Sequence, residues 1–302
     1  MRIGVMLGAD RGATRLDGVV EMARRAEAAG FDSVWMAHIR ALDAVAALTV
    51  AATQTSRIEL GTAVTPIQPR HPMALAQAVL TANQAAGGRF TLGVGVSHKL
   101  VVEDMLGLSY ARPAAQMRDY LEVLLPLLRG ESATVDNARY RVRNLGVDVP
   151  GGAPVPVIMA ALGPRMLTLA GHLTAGTSTW MVGPHTLAAH ISPRLRAAAA
   201  EAGAAPPRIV AAVPVVLTHD IEATRDKLAA ALAIYGQLPS YRAMLDHEGV
   251  TGPADLALIG NEQLIRDGIA RYRDAGVTDF SAAIMASDES TFERTFEFVA
   301  AR

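Results

Sequence analysis

The sequence predicts an α/β fold, a (β/α)8 (TIM) barrel with insertions at the C-terminal face of the strands, and three observations carry that expectation. Short β-branched runs alternate with longer Ala-rich stretches of helical period, the pattern of βα units around a parallel sheet. Eight such runs can be placed within 302 residues, which favours closure over an open sheet. The glycine fingerprint that should follow the first strand of an open, doubly wound dinucleotide-binding sheet does not match Gly8-Ala9-Asp10-Arg11-Gly12. No linker or repeat divides the chain, so residues 1–302 are read as a single domain.

In chain order, Arg2–Leu7 is a short apolar run that reads as a buried first strand. It lacks the long apolar stretch and cleavage pattern of a signal peptide. The helix after it starts at Asp17, continues through Val20, Ala23 and Ala26, and stops at Gly30. Ser33–Ala37 and Ile58–Val64 are the second and third strands, and Pro72 opens a helix running to about Ala86. Phe90–Val96 is the fourth. After it, His98 to Pro113 reads as an irregular loop before a helix over Met117–Leu128, and residues 133–154 read as a hairpin carrying Tyr140 and a Gly-Gly-Ala-Pro turn. Val155–Ala160 is the fifth strand and runs through Gly163-Pro164 into a helix from Arg165 to Gly171. Thr177–Met181 and Ile209–Leu217 are the sixth and seventh, with helices opening at Pro184, ending near Gly203, and at Asp220, running toward Tyr235. Residues 238–258 hold an extra helical segment and two turns before the eighth strand, Phe280–Met285. Such insertions sit at the catalytic face of a barrel as lids or pocket walls.

Composition narrows the function. A net charge of −1 with 19% charged residues and no clustered basic stripe offers no field for nucleic acid or an anionic membrane. The absence of cysteine excludes disulfides, thiolate metal sites and a Cys nucleophile, and suits a reducing compartment. Every apolar stretch is interrupted before the ~18 residues a spanning helix needs, so the expected location is the cytoplasm. No His-Glu-x-x-His, grouped carboxylates or Gly-x-Ser-x-Gly elbow appears, which leaves metal catalysis, a glycosidase pair and a serine triad without support.

In a barrel, reacting groups cluster at the C-terminal ends of the strands. That position selects His38, Thr65, Ser97-His98-Lys99, Ala161-Leu162-Gly163-Pro164-Arg165 and Trp180. At Gly163-Pro164 the strand passes directly into a helix, so unpaired N–H groups there would bind an anion, with Arg165 as a charged donor; an ordinary tight βα turn is the other reading. His38 and His98 could donate a proton or a hydrogen bond to a ring at the barrel mouth, or be surface residues before a helix. Gly93-x-Gly95 lacks the third glycine of a dinucleotide motif and reads as space for a ligand or for close packing. These groups suit a site that holds a cofactor which performs the chemistry itself.

Gly30-Phe31-Asp32-Ser33-Val34-Trp35, Thr55-Ser56-Arg57-Ile58-Glu59-Leu60-Gly61-Thr62-Ala63-Val64-Thr65-Pro66, Arg70-His71-Pro72, Gly88-Arg89-Phe90-Thr91-Leu92-Gly93-Val94-Gly95 and Pro156-Val157-Ile158-Met159-Ala160-Ala161-Leu162-Gly163-Pro164 together resemble the luciferase-like oxidoreductases. Within that group the resemblance is to the branch that uses the deazaflavin coenzyme F420, and it runs over nearly the whole chain. It implies a barrel, usually dimeric, holding the ring at the strand ends, with a non-proline cis peptide behind the ring, by position Ala63-Val64. It also implies ring contacts from His38, Thr65, Gly95, Val96 and Ser97, and a phosphate contact at Leu162-Gly163-Pro164. Many relatives carry Asp-His after the second strand where this chain has Ala37-His38; either His38 takes over that contact or the ring is held differently. The glucose-6-phosphate dehydrogenases of the group place a Glu where this chain has His98, so that sugar phosphate is not the expected substrate.

The expectation is therefore an F420-dependent oxidoreductase passing hydride between the deazaflavin and a small organic substrate: an activated C=C or C=N bond, or an alcohol in reverse. Trp180, Met181, Met6 and Leu162 would be apolar walls, and His38 or His98 would supply the completing proton. Two alternatives remain: an FMN-dependent luciferase-like monooxygenase and a non-catalytic deazaflavin-binding protein.

Overall fold

A computed structural model describes residues 1–8 and 14–301, so most of the 8–12 stretch that argued against a dinucleotide fingerprint lies outside the described residues. The strands are β1 (Arg2–Leu7), β2 (Ser33–Met36), β3 (Glu59–Thr62), β4 (Thr65–Pro66), β5 (Phe90–Gly95), β6 (Ala133–Asp136), β7 (Arg141–Leu145), β8 (Val157–Ala160), β9 (Gly176–Trp180), β10 (Arg208–Leu217), β11 (Leu258–Gly260) and β12 (Asp279–Ile284). Between them lie helices α1 (Leu16–Ala28), α2 (Ala44–Ala52), α3 (Pro72–Ala85), α4 (Pro113–Leu128), α5 (Pro164–Leu173), α6 (Pro184–Thr186), α7 (Ser192–Glu201), α8 (Ile221–Gln237), α9 (Pro239–Glu248), α10 (Glu262–Asp274) and α11 (Glu289–Ala300). All pairings of the main sheet are parallel, in the order β1-β2-β3-β5-β8-β9-β10-β12, and β12 pairs back onto β1 to close the barrel. Only β6 and β7 are antiparallel, as the hairpin reading of residues 133–154 required.

The helix stops and proline starts hold better than the acidic starts: α1 begins at Leu16 with Asp17 inside its first turn, Asp220 precedes α8 without a side-chain cap, and the helix expected from Pro184 is interrupted by a π-helical turn at Leu187–Ile191. The buried face of α1 is Val19, Ala23 and Ala26, and the chain turns away at Gly30 with φ 86°. Proline occupies the first turn of α3, α4 and α5, where its missing N–H costs no intrahelical bond.

Four boundaries differ from expectation, each for a physical reason. The strand expected over 58–64 runs only over Glu59–Thr62; the ladder is interrupted at Ala63-Val64 and resumes in the same direction as β4, where Thr65 pairs with Val94 of β5. The strand expected from 155 begins at Val157, because Pro154 and Pro156 have no N–H to give to the ladder. The expected loop over 98–113 contains a π-helical turn, Leu100–Met105, and α4 starts at Pro113 rather than Met117. The insertion over 238–258 ends in a strand that was not expected, β11, too short to show a period, whose Leu258 aligns with Val215 of β10.

Barrel filling changes with height. At the N-terminal end sit the first residues of four strands, Arg2, Glu59, Arg208 and Asp279. Arg208 donates to Glu59 Oε1 at 2.9 Å and to Asp279 Oδ1 at 2.6 Å, and Arg2 also pairs with Glu59. Paired in this way, the buried carboxylates close the bottom of the barrel. Above them lie Trp35, Ile158 and Val210, with the Arg208 guanidinium 5.7 Å from the Trp35 ring centroid. Trp35 fits because Gly61 faces it, where a Cβ would come within 2.3 Å of the indole. The next layer is made of small side chains, Ala37, Ala63, Ala212 and Ala283, with Met6 and Trp180.

Candidate active site

The alanine layer faces the C-terminal end of the barrel, where the strand-end residues gather, and is the floor of the candidate site. On one side of it the Ala63-Val64 peptide is cis, as the resemblance implied. The neighbouring strand accommodates this turn only through glycine. A Cβ on Gly93 would meet the Thr62 carbonyl oxygen at 2.0 Å, and one on Gly95 would meet Val64 Cγ2 at 2.5 Å. Of the two readings of Gly93-x-Gly95, the structure supports close packing. Thr62 Oγ1 also donates to the Gly93 carbonyl oxygen at 2.8 Å and accepts from Gly93 N–H at 2.9 Å, pinning β3 to β5. Just beyond, Gln68 donates to the Val96 carbonyl oxygen at 2.7 Å. The buried atoms Thr65 Oγ1 and Gln68 Oε1 have no hydrogen-bond partner among the described residues. Ser97 follows with φ 55°, its carbonyl oxygen accepting from the Tyr110 hydroxyl at 3.1 Å.

His38 follows β2 and is half-buried. Its Nδ1 accepts from Ala44 N–H at the start of α2 at 3.3 Å, which assigns the ring hydrogen of the neutral form to Nε2. Burial pushes its pKa below the ordinary value and Arg70 adds to this, while Asp43, whose Oδ1 lies 4.0 Å from Nδ1, opposes it. Asp43 also accepts from Ala46 N–H at 3.1 Å and pairs with Arg70. A carboxylate therefore does stand near His38, supplied from five residues downstream instead of the adjacent position. Because of this pairing Arg70 is not a free cation at the mouth. Lys99 lies 3.6 Å from Glu103, and Arg40 is exposed.

His98 follows β5, one barrel strand away from the His38 side, and burial alone lowers its pKa. Its ring is 5.5 Å from that of Tyr241 on α9. Tyr241 lies 5.2 Å from Tyr235 on α8, and Tyr235 lies 6.0 Å from Trp180 at the end of β9. The insertion over 238–258 thus contributes a mouth wall, in the position expected for it. His38 and His98 share no hydrogen bond or ring contact, and the strands they follow, β2 and β5, are separated in the barrel by β3 alone.

At the end of β8, Ala161 is buried, Leu162 half-buried, and Gly163, Pro164 and Arg165 exposed. Gly163 is the residue before α5, no side chain caps the helix, and the backbone N–H groups of Gly163, Arg165 and Met166 find no partner among the described residues. Nothing would meet a Cβ on Gly163 within 4 Å, so the approach is open. An uncapped helix start of this kind is suited to an anion. Behind the turn, His190 Nε2 lies 2.8 Å from the Leu162 carbonyl oxygen and His190 Nδ1 2.9 Å from an Arg194 guanidinium nitrogen. The His190 ring stacks on His247 of α9 at 4.8 Å.

His190, Arg194, Tyr235, Tyr241, Gln68 and Asp43 were not among the sequence candidates, because none follows a barrel strand directly. Nothing in their local pattern separates them from surface or core residues. Among the described residues no group of three or more His, Asp or Glu side chains is placed to hold a metal ion. The floor of alanines, the orphaned Thr65 and Gln68 oxygens and the uncapped start of α5 fit a flat ring carrying a phosphorylated tail.

Comparison with known proteins adds the family. The model of the luciferase-like monooxygenases matches residues 1–279. The chain is 30% identical to a 5,10-methylenetetrahydromethanopterin reductase of Methanolobus tindarius over 72% of its own length and 66%, a little under two thirds, of that protein. It is 31% identical to a protein of Mycobacterium tuberculosis named as a coenzyme F420-dependent oxidoreductase, over 78% of this chain and 72% of that one. The solved coenzyme F420-dependent tetrahydromethanopterin reductase of Methanopyrus kandleri shares the fold, with a TM-score of 0.83 at 22% identity, covering 99% of this chain and 97% of that one.

Proposed function

This chain belongs to the luciferase-like monooxygenase family, and from that premise we propose that it is a coenzyme F420-dependent oxidoreductase acting on a small organic substrate with an activated C=C or C=N bond, or on an alcohol in reverse. The observation that carries the reading is the similarity to relatives whose names give F420 as the cofactor, joined to a mouth whose free groups suit a flat ring and a phosphate. We further propose one functional unit over residues 1–302, working in the cytoplasm as a homodimer. Among the described residues no helix is long and apolar enough to cross a membrane.

Bound at this mouth, the deazaflavin would supply or accept a hydride. The protein's part is placement. The free N–H groups of Gly163, Arg165 and Met166 would bind the tail phosphate, with Arg165 as a charged partner. The alanine floor and Val64 would support the ring, with Ala161 and Val96 beside it and Thr65 Oγ1 and Gly95 within its edge. His38, held neutral, would donate from Nε2 to a ring oxygen. His98 would exchange the proton that accompanies the hydride. Its lowered pKa leaves it mostly in the neutral form at pH 7, the form that can take the proton in the oxidative direction, while the imidazolium that donates is populated below neutrality. The apolar surround would keep water from the reacting carbons.

Fluorescence titration with F420 and, separately, FMN at matched ionic strength tests the reading. Micromolar or tighter binding of F420 alone is the expected result. Preference for FMN would move the chain to oxygen chemistry, and binding of neither would overturn the cofactor assignment.

A further inference from the structure

The row of rings from Trp180 to His98 has a property that the cofactor reading does not require. It spans from the end of β9 to the end of β5, over β8 between them, with ring centroids 6.0, 5.2 and 5.5 Å apart. Trp180 at one end also packs against the floor of the mouth, so the row stands beside the space above that floor. It is held in place from behind. Glu248 at the end of α9 accepts from Thr186 N–H at 2.7 Å and from the Thr186 hydroxyl at 2.6 Å. This fixes α9, and with it Tyr241, to α6.

No charge reaches this wall. Burial raises the pKa of Tyr110, Tyr235 and Tyr241 and lowers that of His98, and no Asp, Glu, Lys or Arg contributes to any of these shifts. The charged side chains of the neighbouring strand ends are paired with one another. Asp43 and Arg70 pair with each other, and Lys99 is 73% exposed beside Glu103. A carboxylate or phosphate brought against the row would lose water and gain no partner, whereas a flat conjugated molecule would gain ring contact on its faces and edges.

We infer that the substrate bound above the floor is a neutral, planar, conjugated molecule, an aryl enone or aryl imine, recognised by the Trp180–Tyr235–Tyr241–His98 row. The inference rests on the proposed site at the barrel mouth and is tested separately from its cofactor. The chain has two tryptophans, and Trp180 is the one in the row, so ligand binding reports directly through its fluorescence.

The probes are benzylideneacetone and its para-carboxylate, titrated into the protein with and without F420. The neutral ketone is expected to quench tryptophan fluorescence and to bind at least about ten-fold tighter than the carboxylate. Tyr241→Ala should weaken the neutral ketone by about five-fold or more, and Tyr241→Phe, which keeps the ring, by less than about two-fold, with F420 affinity unchanged in both. Equal or tighter binding of the carboxylate, no quenching by either probe, or a folded Tyr241→Ala that binds the ketone as the parent does would overturn the inference. The two-ligand comparison on the unaltered protein decides the matter even if Tyr241→Ala does not fold. Failure of F420 to bind while the ketone still quenches would sink the cofactor reading and leave the aromatic wall standing.

Discussion

His190 donates through Nε2 to the Leu162 carbonyl oxygen at 2.8 Å, while its Nδ1 accepts from Arg194 at 2.9 Å, so both ring nitrogens are committed and the ring is neutral. The histidine braces the β8–α5 turn from the side away from solvent. His190→Ala should raise the F420 dissociation constant about 5- to 30-fold by loosening that turn, while His190→Asn, which keeps a donor, should restore part of the loss. Fluorescence titration measures both, and an unchanged constant in His190→Ala would remove the brace from the account.

The lowered pKa of His98 sets a direction for activity. If His98 delivers the proton as imidazolium, reduction accelerates as pH falls toward a value below the ordinary imidazole one, and oxidation of the product accelerates as pH rises through that same value. His98→Gln should flatten both limbs, and His38→Asn should lower affinity for the cofactor without flattening either. A His98→Gln profile that still bends at the same pH would assign the proton to another group.

Stability should follow a related sign. His38, His98 and His190 all have native pKa values below the ordinary one, chiefly through burial. As pH falls through about 6.5 the unfolded chain takes up protons that the native protein refuses, and stability is lost until the lower native values are reached. Each histidine contributes no more than about 1.4 kcal/mol per pH unit over that window. Urea unfolding at pH 7.5 and 5.5 tests this: the parent should lose stability on acidification and His190→Asn should lose less. Equal losses would show that His190 does not titrate in the window.

Gly95 and Gly93 are expected to tolerate substitution unequally. A Cβ on Gly95 presses on Val64 Cγ2 at 2.5 Å, a side-chain atom that can shift, and Gly95→Ala should cost about 1–3 kcal/mol. Gly93→Ala meets the Thr62 carbonyl oxygen at 2.0 Å, backbone inside the barrel wall, and should not give a stable folded protein. Thermal melting compares the two, and a Gly93→Ala protein as stable as Gly95→Ala would contradict the packing described.

Much of this architecture was legible from local signals. Each βα unit carries its own strand run, its proline or acidic helix start and its glycine stop, so the barrel strands at Arg2–Leu7, Arg208–Leu217 and Asp279–Ile284 were found within a residue of their ends. The Ala63-Val64 turn was locatable because its motif is specific, not because composition or period marks it. The strand-end rule brought out His38, His98 and the Leu162-Gly163-Pro164 turn. It could not bring out His190, which touches Leu162 across 28 residues of chain, nor the row through Tyr235 and Tyr241, which exists only once α8 and the α9 of the insertion pack together at the mouth. Contacts of that kind are set by tertiary packing and leave no periodic trace. The same holds for Asp43, whose role beside His38 depends on the start of α2 bending back toward β2.

The barrel narrows in side-chain volume from its ion-paired base through Trp35 to four alanines, and that gradient places stability and function in opposition at one height. Replacing Ala37, Ala63, Ala212 or Ala283 with larger apolar residues would add apolar bulk at the height where the site is proposed, the kind of change that stabilising core substitutions commonly make. A search for heat-resistant variants would therefore be drawn to these four positions, and the hardiest proteins it returned would be those with the least room for a guest.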